Sequence, residues 1–370
     1  MADETRRKEV ITGLLVFLMF FGFFIAGELA LRLIQFNKFG QLESVEKDDS
    51  YYVDEETGLR LNKPNLQLGS SRINNLGFRG PDIGAEKPLS TVRLAFLGSS
   101  TTYDANSGEE ENWPRLVAKN IDEALTGCST DFINAGKAGY GTEQMATLYM
   151  HFVKQTEPDL VFVLPGDLSQ DLDWLAGQHK IDTHHDSYES FLAKHSILLE
   201  KLEKNIRIIQ LQRRAGSKKD KLSFDPKEIE HRFRARLEHL IEAIVKDGRD
   251  AVLITTSGQI RRDMSISEMV AAGNTAIYYM PYIYLPDLIK LRDSYNAVIR
   301  EVAHKYGVIL VDTEDSIPGT PAYYADAIHF TPAGSKAMAK AVTSSLQGTE
   351  AAHSIFEKLG CKFSNQDRPR

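Results

Sequence analysis

The chain has 370 residues, with 44 Lys and Arg against 51 Asp and Glu, a formal net charge of −7 and 2 cysteines. That balance argues against nucleic acid as the main partner, which needs a basic patch or stripe. No Cys/His cluster stands at zinc-ligand spacing and no glycine-rich phosphate loop occurs, so no metal or organic cofactor is expected.

The first informative segment is residues 10–26, an uncharged run of Val, Ile, Leu, Phe, Met, Gly, Thr and Ala that continues past Glu28 to Leu31. A spanning helix needs about 20 mostly apolar residues, and residues 10–31 supply them if Glu28 sits near the headgroups. A cleaved signal peptide would have a shorter apolar core and small residues at its cleavage site; residues 26–30 (Ala-Gly-Glu-Leu-Ala) make a poor one. A buried core helix this apolar all round, at an extreme terminus, would have little to pack into. The expectation is a single membrane anchor. Arg6, Arg7 and Lys8 precede it, while Arg32, Lys38 and Lys47 follow more sparsely, so the positive-inside rule leans toward a cytoplasmic N-terminus at residues 1–9 and a large domain in the periplasm or an equivalent outer space.

Residues 32–91 are polar and broken by Gly and Pro, a juxtamembrane segment expected to pack on the outside of the domain. Residues 91–98 (Thr-Val-Arg-Leu-Ala-Phe-Leu-Gly) read as a buried strand entering a tight turn. A helix is expected over 114–125, a strand over 131–134, a helix over 143–155 and strands over 159–164 and 250–255. A helix over 287–304, a strand over 307–311 and a helix over 333–346 complete the pattern. Continuous apolar strands alternating with helices imply a parallel sheet covered on both faces. Between the third and fourth strands lies an insertion of about 174–246, read as helices over 187–214 and 227–246 joined by a basic tip. A connection this long is either functional or mobile; a lid and a solvated hairpin both fit. The domain proper is expected over 92–346, with a tail at 347–370. Cys128 and Cys361 are free to pair in an oxidising compartment, but their separation is not written in the sequence.

Ligands of open parallel sheets bind outside the carboxyl ends of the strands. Three such ends carry small or polar residues: Gly98-Ser99-Ser100-Thr101-Thr102, the run Asn134 to Thr142 (Asn-Ala-Gly-Lys-Ala-Gly-Tyr-Gly-Thr), and Pro165-Gly166-Asp167-Leu168-Ser169-Gln170-Asp171. Before the last helix stands Asp326-Ala327-Ile328-His329-Phe330-Thr331-Pro332-Ala333-Gly334. Singly these are ordinary turns and a solvated histidine; together, and in this order, they resemble the four signature blocks of the SGNH/GDSL hydrolase superfamily over roughly residues 74–345. Asn75-Leu76-Gly77-Phe78-Arg79-Gly80-Pro81 also looks like the segment before the first block in bacterial membrane-anchored members.

The resemblance implies a flavodoxin-like three-layer α/β/α sandwich and hydrolysis or transfer of acyl groups. By position Ser100 would be the nucleophile, His329 its base and Asp326 the residue holding the imidazole. The N–H groups of Ser100 and Gly139 would donate to the oxyanion. This sequence departs from the family pattern at Ser99, where Asp is usual, and at Leu168, where the third block usually has an Asn that completes the oxyanion hole. Leucine cannot donate a hydrogen bond, so Gln170 or Ser169 would have to substitute, and an ionised Asp167 would repel the oxyanion. The expected function is a membrane-anchored esterase or O-acyltransferase whose ester substrate lies outside the cytoplasm, with acetylated polysaccharide as the candidate class. The alternative is a catalytically degraded domain that binds a glycan or protein at the membrane.

Overall fold

The computed structural model describes residues 2–39, 50–84, 86–179, 181, 190–219 and 221–364. Helix α1 (Ala2–Phe39) is a single long rod, and over Thr5–Ile34 it is long and apolar enough to cross a membrane.

The domain is built on a five-stranded parallel sheet: β1 (Thr91–Gly98), β2 (Ser129–Gly136), β3 (Leu160–Leu164), β4 (Asp250–Ile254) and β5 (Ile309–Val311). Its spatial order is β2-β1-β3-β4-β5, every neighbour parallel. This is the flavodoxin-like order, whose direction of winding along the sheet reverses between β1 and β3 and leaves a crevice there. β1 is apolar at successive positions because alternate side chains serve opposite faces. Ala95 and Leu97 join one core with Ile133, Val161, Val163 and Leu253. Leu94 and Phe96 join the other with Phe132, Phe162, Val252 and Ile254. Phe96 stacks on Phe162 at 4.6 Å and meets the edge of Trp113 at 5.3 Å.

Helices cover both faces. Helix α2 (Ser100–Tyr103) is one short turn after β1, followed by α3 (Trp113–Ala124), α4 (Thr142–Leu148) and α5 (Leu168–Gln178). Next come α6 (Ile197–Ala215), α7 (Pro226–Lys246), α8 (Ile266–Ala272), α9 (Asn274–Tyr279) and α10 (Leu285–Tyr306). Helices α11 (Pro332–Gln347) and α12 (Glu350–Lys358) end the fold. One layer contains α4, α5, α7 and α10; the other contains α3, α11 and α12. The three-layer sandwich is thereby formed.

Four differences from the sequence expectations have physical causes. The insertion is not one hairpin: Trp174 lies inside α5, and α7 buries Ile229, Phe233, Leu237, Leu240, Ile241 and Ile244 against α4 and α10 as a full member of the layer. Only α6 stands outward, beginning at Ile197, and residues 187–189 of the expected helix lie outside the described residues. The expected helix over 143–155 stays α-helical only to Leu148, then widens into a π turn at Tyr149–Val153. The tail is part of the domain: α12 buries Ala352 and Phe356, Lys362–Phe363 pairs with Leu125–Thr126, and Cys361 is bonded to Cys128. The juxtamembrane segment likewise contributes buried Leu59, Ile73, Phe78 and Ile83.

Candidate active site

The crevice at the β1/β3 reversal holds the residues singled out by sequence. Ser100 opens α2 directly after β1, and its Oγ lies 2.8 Å from His329 Nε2. The other ring nitrogen, Nδ1, lies 2.8 Å from Asp326 Oδ2. His329 immediately precedes the approach to α11, whose Thr331 caps its first turn by accepting from Gly334 N–H at 3.1 Å. Asp326 is itself fixed: Oδ1 accepts the N–H groups of Ile328 and His329, each at 2.9 Å, and Oδ2 accepts the Thr275 hydroxyl at 3.2 Å. Burial alone would raise its pKa, but the hydrogen bonds and charge of His329 prevail and hold the carboxyl down at about 2. The carboxylate therefore remains ionised at any pH near neutrality, able to orient the imidazole and offset its positive charge.

Gly139 comes to the same crevice from the loop after β2. Its φ of +81° is a conformation that side chains disfavour. No described residue accepts from the N–H of Gly139 or from that of Ser100. The Gly139 carbonyl is held from behind by Gln170 Nε2 at 2.6 Å. Gln170 thus spends its amide on the loop, while Ser169 lines the cavity beside Leu168. Asp167 lines the cavity with its carboxylate engaged: it accepts Thr142 N–H at 3.0 Å and Arg236 Nε at 3.1 Å, and burial raises its pKa against the pull of those partners.

Two residues outside the sequence-predicted set hold the turn that carries Ser100. Arg79 is fully buried and donates to the carbonyls of Tyr103 (2.5 Å), Asp104 (2.7 Å) and Ser107 (2.8 Å), clamping the loop that follows Ser100. Asp104 accepts from Ser335 Oγ at 2.6 Å and Trp113 N–H at 3.1 Å, tying that loop to α11 and α3; burial pushes its pKa up to about 6. The Asn-Leu-Gly-Phe-Arg-Gly-Pro run was a signal for Arg79; nothing in the sequence pointed to Asp104.

Above these groups opens a cavity of about 420 Å³, walled by Leu164, Leu168, Ile260, Ala276, Met280 and Ile289 among others. Polar residues in its wall include Ser100, His329, Thr256, Ser257, Arg292 and Tyr295. The arrangement can take a proton from a serine hydroxyl as it attacks a carbonyl, with the N–H groups of Ser100 and Gly139 left to donate to the carbonyl oxygen that becomes negative.

A family model described as the GDSL-like Lipase/Acylhydrolase family matches residues 96–337. No curated protein matches the chain. Among solved structures, similar folds include LAE5, an alpha/beta hydrolase enzyme from the metagenome of Lake Arreo, Spain, at 15% identity, covering 71% of this chain and 97% of that one, with a TM-score of 0.43. Axe2, an acetylxylan esterase from Geobacillus stearothermophilus, is similar at 14% identity, covering 70% of this chain and 96% of its own, with a TM-score of 0.43.

Proposed function

Since the chain belongs to the GDSL-like lipase/acylhydrolase family, we propose that it is a membrane-anchored serine esterase or O-acyltransferase working through Ser100, His329 and Asp326. The observation that carries this reading is the unbroken 2.8 Å chain from Ser100 Oγ through the His329 ring to Asp326. Attack on an ester carbonyl forms a Ser100 Oγ–C bond as His329 Nε2 takes the hydroxyl proton. The carbonyl oxygen, now negative, sits under the N–H groups of Ser100 and Gly139. Collapse expels the alcohol, which receives the proton from His329, and leaves an acyl-serine. Water, or an acceptor hydroxyl, then removes the acyl group with His329 again as base.

Two features support a location outside the cytoplasm. The Lys/Arg bias around α1 leans that way, and a disulfide joins Cys128 to Cys361, a bond that persists in oxidising compartments. An ester on an extracytoplasmic polysaccharide, acetylated in the simplest case, fits that location. A second reading, a degraded domain that binds a glycan or protein, is favoured by Leu168, which gives the oxyanion no side-chain donor. The test is para-nitrophenyl acetate turnover by the full chain in detergent, compared with Ser100→Ala. Loss of turnover in the variant supports the esterase. Hydrolysis and cellular function both untouched by Ser100→Ala would sink it and leave the binding module.

A further inference from the structure

Among the described residues that line the cavity, Arg292 of α10 is the only Lys or Arg. It is partly buried, yet among the described residues it forms no ion pair with a carboxylate. Its one hydrogen bond among the described residues runs from Nη1 to the Ile260 carbonyl at 3.0 Å, and its buried Nε donates to nothing. The two acids whose charge bears on it pair with other arginines. Asp293 meets Arg262 through Oδ2 at 2.8 Å, its buried Oδ1 making no hydrogen bond, and Glu314 is shared by Arg262 at 2.8 Å and Arg300 at 2.5 Å. Of the acids in the cavity wall, Asp167 pairs with Arg236 at 3.1 Å and the exposed Asp173 accepts the Tyr282 hydroxyl at 2.6 Å, while Asp326 behind the wall serves His329. Space has been made for the guanidinium. A Cβ at Gly258 would come within 2.9 Å of Arg292 Nη1 and 3.0 Å of the Ala327 carbonyl, so the charge lies against the loop that carries Asp326 and His329.

An unpaired buried charge is costly, and arginine does not escape by losing its proton. Burial lowers the Arg292 pKa although Asp293 and Glu314 favour its charged form. The apolar wall around it weakens solvent competition, so an oxyanion entering the cavity would meet a pre-placed, planar donor fork.

We propose that Arg292 forms an anion subsite: the ester processed at Ser100 carries a carboxylate or phosphate group that pairs with its guanidinium. This rests on the esterase reading of the same cavity and narrows its substrate to anionic esters.

The test uses the full chain in detergent and matched substrates. On the acyl side, para-nitrophenyl hemiglutarate is compared with para-nitrophenyl valerate. On the alcohol side, para-acetoxybenzoate and para-acetoxyphenyl phosphate are compared with phenyl acetate. Wild type should favour at least one anionic member in kcat/KM by about 10-fold or more, the scale of a hydrogen bond to a charged group. Which member wins distinguishes carboxylate from phosphate. Arg292→Met should bring that ratio toward one, and Arg292→Lys should restore part of it. Equal rates on both members in wild type, or an unchanged ratio in Arg292→Met with all substrates slowed together, would overturn the subsite. Calorimetric binding of glutarate and of inorganic phosphate separates the two readings. Binding that disappears in Arg292→Met while no ester turns over sinks the esterase and keeps the subsite; turnover without preference and without binding does the reverse.

Discussion

The Glu28 carboxylate, near the domain end of α1, accepts the backbone N–H of Leu198 at 2.9 Å and that of Ile197 at 3.2 Å, at the first turn of α6. It also accepts the Ser196 hydroxyl at 2.9 Å and pairs with Arg32 at 2.8 Å. A residue expected to sit at the headgroups therefore caps a helix of the soluble domain, and its negative charge faces the positive end of that helix. The long helix and the domain are joined by more than chain connectivity.

Deleting residues 1–33 should accordingly leave a soluble, folded sheet with a loosened α6. Hydrogen exchange is the measurement. Amides at the start of α6 should exchange faster in the truncated protein and in Glu28→Ala, with those of β1 and β3 unchanged. Aggregation of the truncated protein that only detergent and the intact helix prevent would show that α1 belongs to the fold.

Leu168 predicts the state of the oxyanion hole. It begins α5 and lines the cavity, where it supplies no donor. Leu168→Asn should raise kcat on a para-nitrophenyl ester with little change in KM, because a donor to the oxyanion acts mainly in the transition state. If Ser169 already replaces it, Ser169→Ala should instead lower kcat by about 100–1000-fold. Gln170→Ala should act by releasing the Gly139 carbonyl. A kcat indifferent to all three substitutions would show that two backbone N–H groups suffice.

Asp104 predicts a pH dependence of stability. Its folded pKa, raised to about 6, lies above the unfolded value of about 3.9. Its contribution is therefore fully present below the unfolded value and is lost as pH rises through about 6. Asp326, held at about 2, behaves oppositely: its contribution is present above about 3.9 and is lost only as pH falls through about 2. Between pH 4 and 8 the Asp104 effect should appear and that of Asp326 should not, and comparison with a variant at position 104 isolates it from other groups. Asp104→Asn, neutral throughout, should gain in Tm relative to wild type as pH rises across that window. A constant difference in Tm would refute it.

The disulfide closes a loop with a sequence separation of 233 residues. By the chain-entropy account a loop of that size stabilises the fold by about 5 kcal/mol. Cys128→Ser with Cys361→Ser should lower the denaturant midpoint and free the segment after α12 to proteolysis. Reductant should do the same to wild type and nothing further to the double variant.

Much of this molecule is written locally. Residues 91–98 form β1 without a shifted end, and all five strands fall where apolar runs end in small or polar residues, because the parallel sheet buries both faces of each strand. Ser100, Gly139, Asp326 and His329 could be singled out only because four blocks in one order resemble the SGNH/GDSL signature; taken alone, each is an ordinary residue after a strand or before a helix. What the sequence could not specify depends on partners far along the chain. Helix α7 reads as amphipathic either way, and only packing against α4 and α10 makes it a layer helix rather than a lid. Cys128 and Cys361 become a pair because α12 and Lys362–Phe363 return to β2's side of the sheet. Arg79 becomes a clamp because three carbonyls from residues 103–107 meet it. Arg292 is one charged residue on a helix until the fold sets it beside Gly258 in a cavity wall, with no ion pair among the described residues. Periodicity reports which residues are buried, whereas charge compensation and contact between distant segments are decided only when the chain has closed on itself.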